Sequence, residues 1–313
     1  VILVATWDAD ELGRAALELL GAAARLGAER GEEVAFVSLA GQGAASAAGG
    51  YGAARAFAFD GDLTASGPEG PVAALTALAR ELEARIVLLP ADELGGEAGP
   101  RLAERLGGTA VSHAVGLHAA DGSLTWTRPV FGGKALATVT AVAEPVVATL
   151  RRGSFEPAEA HGGPVAVETR PAPASDGAVE LLSSEAPASG AALEDAPVIV
   201  SGGAGVGDGE GFAQLEELAE LLGGAVGASL AAVDNGWAPP ERQVGLTGKS
   251  VSPDVYFAFG ISGASQHLAG IGGAKAVVAV NTDPEAPIYR VARLGVVMDC
   301  RELLSALIGE LRR

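Results

Sequence analysis

The feature that most constrains this chain is a rhythm. Short apolar runs alternate with stretches at helical spacing, pause, and then begin again. The first runs are VILVAT (1–6), VAFVSL (34–39), ARAFAF (54–59) and RIVLLP (85–90). Runs this short and apolar on both faces are the mark of strands buried inside a parallel sheet, with the intervening segments as crossover helices. Between the first two runs, Leu12, Ala15, Ala16, Leu19, Leu20 and Ala23 form an apolar stripe over 9–30, with Asp8 or Asp10 as the expected N-cap. A second helix is expected over 71–84, and a third beginning near Pro100 with RLAERLG.

From about 124 the helical spacing stops. WTRPVF, KALATVTA, PVVATL, VAVETR and VELLSSE follow one another with turn residues between them, so antiparallel strands or a β-rich extension of the first sheet are expected. The stretch 171–197, rich in Pro, Ala, Ser and acid, reads as a surface linker with a domain boundary near 186. The rhythm then restarts: PVIVSGG (197–203), a helix over 211–223 with Leu215, Leu218 and Leu222 inward and Glu216, Glu217 and Glu220 outward, VYFAFGIS (255–262), KAVVAVN (275–281), GVVMD (295–299) and a closing helix. The fold class is therefore α/β with two domains. Residues 1–185 form a three-layer α/β domain with a β-rich extension, and 186–313 a doubly wound parallel-sheet domain; 313 residues suit that number.

Charge and cysteine content narrow the function. Twenty-one basic residues face 39 acidic ones, a formal charge of −18, which repels nucleic acid. The single cysteine, Cys300, rules out an internal disulfide and a multi-thiolate metal site, and points to a reducing compartment. No run approaches the ~18 apolar residues of a membrane span, and VILVATWDAD enters a strand pattern directly, so a cytoplasmic bacterial protein without membrane insertion is expected. His113, His118 and His161 lack ligand spacing, and Trp7, Trp126, Phe131, Met298 and Cys300 read as packing residues.

In doubly wound sheets ligands bind beyond the carboxyl ends of the strands, which directs attention to the second domain. The turn SGGAGVGDGEG lies between a strand and a helix, yet no Gly-x-Gly-x-x-Gly can be threaded through Gly202, Gly203, Gly205, Gly207, Gly209 and Gly211. It reads either as a flexible turn or as a set of amides facing a phosphate. GLTGKS (245–250) imitates the end of a P-loop, but Gln243 stands at the first glycine's position and Pro253 interrupts any following helix. More informative is Gly260-Ile261-Ser262-Gly263-Ala264, a buried strand ending in small residues, followed by Gln266 and His267 at a helix start.

At these residues a resemblance emerges. QVGLTGKSVSPDVYFAFGISGASQHLAG and VNTDPEAPIYRVARLGVVMD, in that order, resemble the FAD-binding C-terminal domain of the electron transfer flavoprotein alpha subunit, over about 197–313. The resemblance implies one noncovalent FAD and a heterodimer with a beta subunit, in which family members carry AMP. It implies an electron carrier without substrate chemistry of its own, working between flavoprotein dehydrogenases, such as the acyl-CoA dehydrogenases of fatty acid β-oxidation, and a quinone oxidoreductase. Carried over by position, Thr247 reaches the flavin N5 edge and His267 the pyrimidine carbonyl. Ser229, Ser262 and the amides of Gly263 and Ala264 meet the pyrophosphate, Gln266 lies along the ribityl chain, and Asn281 and Asp299 lie toward the adenosine. Val244, Gly245, Leu246, Gly248, Gly260, Ser265 and Cys300 complete the implied cofactor-binding set. No general acid, nucleophile or metal is implied.

The chain departs from the family at five places. Ala204 and Leu230 stand where arginines are usual, Leu246 where a glutamine is, Thr282 where a lysine is and Arg293 where an aspartate is. The lost cation at Leu230 implies a lower flavin potential or a less stabilised anionic semiquinone. Two other readings of the same fold are a flavin-free scaffold or binding subunit, and an NAD-binding enzyme. The latter is opposed by the missing glycine fingerprint and acid–base pair.

Overall fold

The computed structural model describes residues 1–65, 67–120, 123–133, 135–173, 182 and 193–313. The chain divides into two compact units, Val1–Val130 with Leu136–Ala186, and Phe131–Ala135 with Pro187–Arg313.

The first unit runs β1 (Ile2–Thr6), α1 (Arg14–Arg30), β2 (Val34–Ser38), α2 (Gly43–Ala47), β3 (Arg55–Phe59), α3 (Glu69–Glu81), β4 (Ile86–Pro90), α4 (Glu93–Leu106), β5 (Thr109–Ala114), β6 (Gly116–Ala120), β7 (Ser123–Val130), β8 (Ala135–Thr140), β9 (Val146–Leu150) and β10 (Val167–Arg170). Seven strands form one parallel sheet in the order β10-β3-β2-β1-β4-β9-β5. Every residue of β1, β2, β4 and β9 is buried, as the unbroken apolar runs require of a sheet covered on both faces. The alternation of side chains sorts them: Ile2 and Val4 pack with Leu19, Leu20 and Phe36, whereas Leu3 and Ala5 pack with Val37, Phe57 and Leu75. Two cores thus flank one sheet.

Several expectations are corrected. Helix α1 begins after Gly13, which caps without a side-chain bond, so neither Asp8 nor Asp10 is its N-cap. Helix α4 starts at Glu93, where Asp92 accepts the Gly95 amide, and Pro100 lies inside it rather than at its start. Strands β5, β6 and β12 add to the strands expected from the sequence. Of the β-rich stretch, only β6, β7 and β8 make a separate sheet, with β6 and β7 antiparallel. PVVATL supplies β9, inserted in parallel between β4 and β5, and VAVETR supplies β10, parallel to β3 at the edge. Both are long-range pairings that composition does not encode. VELLSSE and most of the 171–197 stretch lie outside the described residues.

The second unit runs β11 (Val198–Gly202), α5 (Gly209–Leu221), β12 (Ala225–Ala228), α6 (Leu230–Asp234), β13 (Val255–Phe259), α7 (Ser265–Ile271), β14 (Ala276–Asn281), β15 (Leu294–Val297) and α8 (Cys300–Leu311). Its five strands are all parallel, in the order β12-β11-β13-β14-β15. The order reverses between β11 and β13, which makes their carboxyl ends the switch point where such sheets open to ligands. One core joins Val200, Phe259 and Val280 to α5 and α8; the other holds Ile199, Tyr256, Ala258 and Ile271. No helix among the described residues is long and apolar enough to cross a membrane.

Candidate functional site

At the switch point the backbone itself closes the gap between strand ends. The Gly203 amide donates to Phe259 O at 2.9 Å and the Gly205 amide to Gly260 O at 3.0 Å. A Cβ on Gly203 would stand 2.3 Å from Gly260 O, so this approach requires glycine. The glycine-rich turn is therefore a packed junction. Its helix, α5, is already capped: Asp208 accepts the Gly211 amide at 3.0 Å and pairs with Arg301 at 2.6 Å. The Arg301 guanidinium holds the Asp208 carboxyl below its ordinary range. An anion of the chain's own occupies the place where the turn could have presented amides to a phosphate.

Beyond this junction two loops lie against each other. The first follows α6 and is folded on itself, Gly245 N donating to Lys249 O and Lys249 N to Gln243 O, and is tied to β12 by Val244 N on Ala228 O at 2.9 Å. Gln243 Nε2 donates to Thr247 Oγ1 at 2.9 Å. With an acceptor position already filled, the Thr247 hydroxyl proton is free for a partner outside the loop. The second loop leads from β13 into α7. There Gly263 (φ +84°) passes so close to the next loop that Ile288 N donates to Ser262 O at 3.0 Å. The Leu246 amide donates to Gln266 O at 2.8 Å and joins the two loops. Leu246, Thr247, Gly248, Ser262, Ala264, Ser265 and Gln266 are exposed on the resulting surface, and α7 follows its N-cap residue Ala264 without a side-chain cap.

His267 behaves differently from its exposed neighbours. It is buried, its Nε2 lies 3.0 Å from the hydroxyl of the wholly buried Tyr256, and its Nδ1 is sealed from solvent without a hydrogen-bond partner. Burial pushes its pKa down to about 4, against a smaller upward pull from the Val244 backbone. The ring is thus enclosed, with Nε2 on the Tyr256 hydroxyl and Nδ1 lacking a hydrogen-bond partner within the chain.

The remaining implied residues divide. Ser229 is held at the end of β11 by its amide on Gly202 O, and its Oγ caps α6 by accepting the Ala232 amide. Asn281 supports the second loop: Nδ2 donates to Ile261 O and Oδ1 accepts the Asp283 amide, both at 3.0 Å. Asp299 caps α8 through the Arg301 amide at 2.8 Å. Cys300 is 3% exposed, its thiol donates to Gly205 O at 3.2 Å, and burial foremost pushes its pKa up. Cys300 thus meets the glycine-rich turn at Gly205, and Asp299 precedes it as the cap of α8. Leu230 and Leu246 are 48% and 65% exposed, at places where the family's arginine and glutamine are expected. Tyr256 and Gln243 were missed, because a tyrosine inside an apolar strand reads as packing. No group of three or more metal-ligating side chains occurs among the described residues.

A doubly wound unit whose switch point carries two joined polar loops defines a nucleotide-cofactor domain. Residues 192–272 match the model of the electron transfer flavoprotein FAD-binding domain, and residues 1–175 that of the electron transfer flavoprotein domain. Among curated proteins, the chain is 37% identical over 313 residues to the electron transfer flavoprotein subunit alpha of Thermoanaerobacterium thermosaccharolyticum, covering 97% of this chain and 94% of that one. It is 37% identical over 266 residues to the subunit alpha of Syntrophomonas wolfei, covering 84% of each, and 41% identical over 251 residues to that of Mycobacterium leprae, covering 79% and 78%. The chain belongs to the electron transfer flavoprotein alpha subunit family.

Proposed function

We propose that this chain is the FAD-binding subunit of a heterodimeric electron carrier, paired with an electron transfer flavoprotein beta subunit that holds AMP. One observation carries the reading: the stretch that matches the FAD-binding domain, 192–272, contains both of the loops that the Leu246–Gln266 bond joins at the switch point. The donor set suits a flavin dinucleotide. Thr247 has a hydroxyl proton to offer, Ser262, Ser265 and Gln266 are exposed donors, and the first amides of α7 have no side-chain cap. Bound there, FAD supplies reversible uptake and release of electrons. The chain's own part is to bind and orient the cofactor, with Thr247 on the flavin edge, Ser229, Ser262, Gly263 and Ala264 on the phosphates, Gln266 along the ribityl chain and Asn281 toward the adenosine. Domains 1–185 and 186–313 divide the work, the first pairing with the beta subunit. Flavoprotein dehydrogenases are the donors and a quinone oxidoreductase the acceptor, in a cytoplasmic setting, and the chain is a carrier rather than an enzyme.

The test is the visible spectrum of the chain co-expressed with its beta subunit, followed by acid release of the chromophore. Near-stoichiometric FAD is expected. A colourless heterodimer that rejects added FAD overturns the reading and favours a flavin-free scaffold; hydride uptake from NADH at this unit would favour the NAD-binding alternative.

A further inference from the structure

The chain carries 39 acidic residues against 21 basic ones, so a place where cations gather without carboxylates stands out. One lies in the first unit, at the carboxyl ends of β5 and β9. Strand β5 breaks its register on β9 between Val111 and Ala114, and this irregularity carries His113 at φ +56°, in the left-handed region. The backbone pins the bend from two sides. His113 N donates to the buried Thr149 Oγ1 at 2.8 Å and Arg151 N to Ala114 O at 2.9 Å, while Val115 N donates to Thr127 O at 2.8 Å. Arg151, just past β9, and Arg128, next to Thr127 in β7, are thereby brought alongside His113. Both arginines are half-buried. Arg151 Nε donates to Ser154 Oγ at 3.2 Å, and burial pushes its pKa down. Arg128 makes no side-chain hydrogen bond or ion pair among the described residues, and its Nε is sealed from solvent without an acceptor. His113 reaches solvent, yet its pKa is lowered, by partial burial foremost and then by the charges of Arg151 and Arg128, with no carboxylate among the described residues acting on it. Two cations and an imidazole thus meet at one bend, and the Arg128 fork is unused.

We propose that His113, Arg128 and Arg151 form an oxyanion site, which takes the carboxylate or phosphate group of a small molecule. A planar guanidinium matches either group with two parallel N–H donors, and a half-buried one gains more from such a partner than an exposed one because solvent screens it less. The His113 ring adds one further N–H donor. The site lies wholly within the first unit and does not depend on the flavin reading of the second.

The test reads the imidazole C–H signals of 13C-histidine protein by NMR, in the chain co-expressed with its beta subunit, the His113 signals being identified by their loss in His113→Gln. Inorganic phosphate and, separately, malonate are titrated at constant pH and ionic strength. A saturable shift of the His113 signals at millimolar concentration, absent with chloride, is expected from at least one of them, and the tighter of the two assigns the site to phosphate or to carboxylate ligands. Arg128→Gln is expected to weaken that binding roughly ten-fold, and Arg128→Lys, which keeps the charge but loses the fork, to fall between. No saturable shift, a shift equalled by chloride, or undiminished binding in Arg128→Gln overturns the proposal. Should Arg128→Gln not fold, binding by Arg128→Lys as tight as by the wild type overturns it. Binding by the chain alone that is lost in the heterodimer overturns it as well, since an acidic side chain of the partner is then the occupant.

Discussion

Gly263 and Ile288 approach so closely that a Cβ on the glycine would stand 2.3 Å from the Ile288 amide nitrogen. Gly263 also sits at φ +84°, in the left-handed region, and its loop is held by Ile288 N on Ser262 O. Gly263→Ala therefore meets a steric conflict with backbone and a conformational cost together. We expect a loss of at least about 2 kcal/mol in unfolding free energy and loss of FAD from the heterodimer, read by denaturant titration and flavin absorbance. A variant as stable and as yellow as wild type would contradict this account of the loop.

His267 predicts a pH dependence. Its ring, pushed down to about 4 by burial, stays neutral in the folded chain, whereas the unfolded chain takes up the proton near the ordinary value of 6.5. The neutral ring's contribution is complete above about pH 6.5 and is lost as pH falls toward 4, to a total of about 3 kcal/mol. Relative to His267→Gln, the wild type should lose unfolding free energy over that window and show a flat difference above it. Parallel pH profiles would show that the ring titrates normally.

Leu230 stands half-exposed directly after Ser229, at a place where the family resemblance leads us to expect an arginine. On the flavin reading proposed above, Leu230→Arg brings positive charge toward a group that gains negative charge on reduction. We expect a flavin potential higher by roughly 30 mV, the two-electron equivalent of about 1.4 kcal/mol, measured by dye-coupled titration. An equal or lower potential would place the side chain away from the flavin.

In the first unit, Glu18 is 2% exposed and divides its carboxylate between Arg14 Nε at 3.0 Å and the Gly153 amide at 2.7 Å. Arg14 is half-exposed and can turn to water, whereas the half-buried Gly153 amide loses the carboxylate that accepts its bond. Glu18→Ala should cost about 2 kcal/mol in denaturant unfolding while Arg14→Ala costs clearly less. Equal losses would assign the energy to the ion pair.

How much of this was legible before folding varies by residue. VILVAT, VAFVSL and VYFAFGIS announce buried parallel strands because a strand covered on both faces must be apolar throughout, and that constraint is local. The loop motifs that carry the family resemblance are local too, each being a contiguous run of residues. PVVATL reads equally well as an antiparallel strand or as the inner parallel strand β9, because the choice depends on partners 60 residues away in Ile86–Pro90.

The site divides along the same line. Sequence alone determined the class of fold, the two-unit plan and the loops Val244–Gly248 and Ser262–His267, since each follows from the apolar period, glycine placement or a contiguous motif. Only tertiary structure decided that Asp208 fills its own helix end, that Cys300 faces Gly205 and that His267 turns inward to Tyr256. Those outcomes depend on which groups meet across strands and helices, and a buried polar atom takes the partner that the packed fold brings to it.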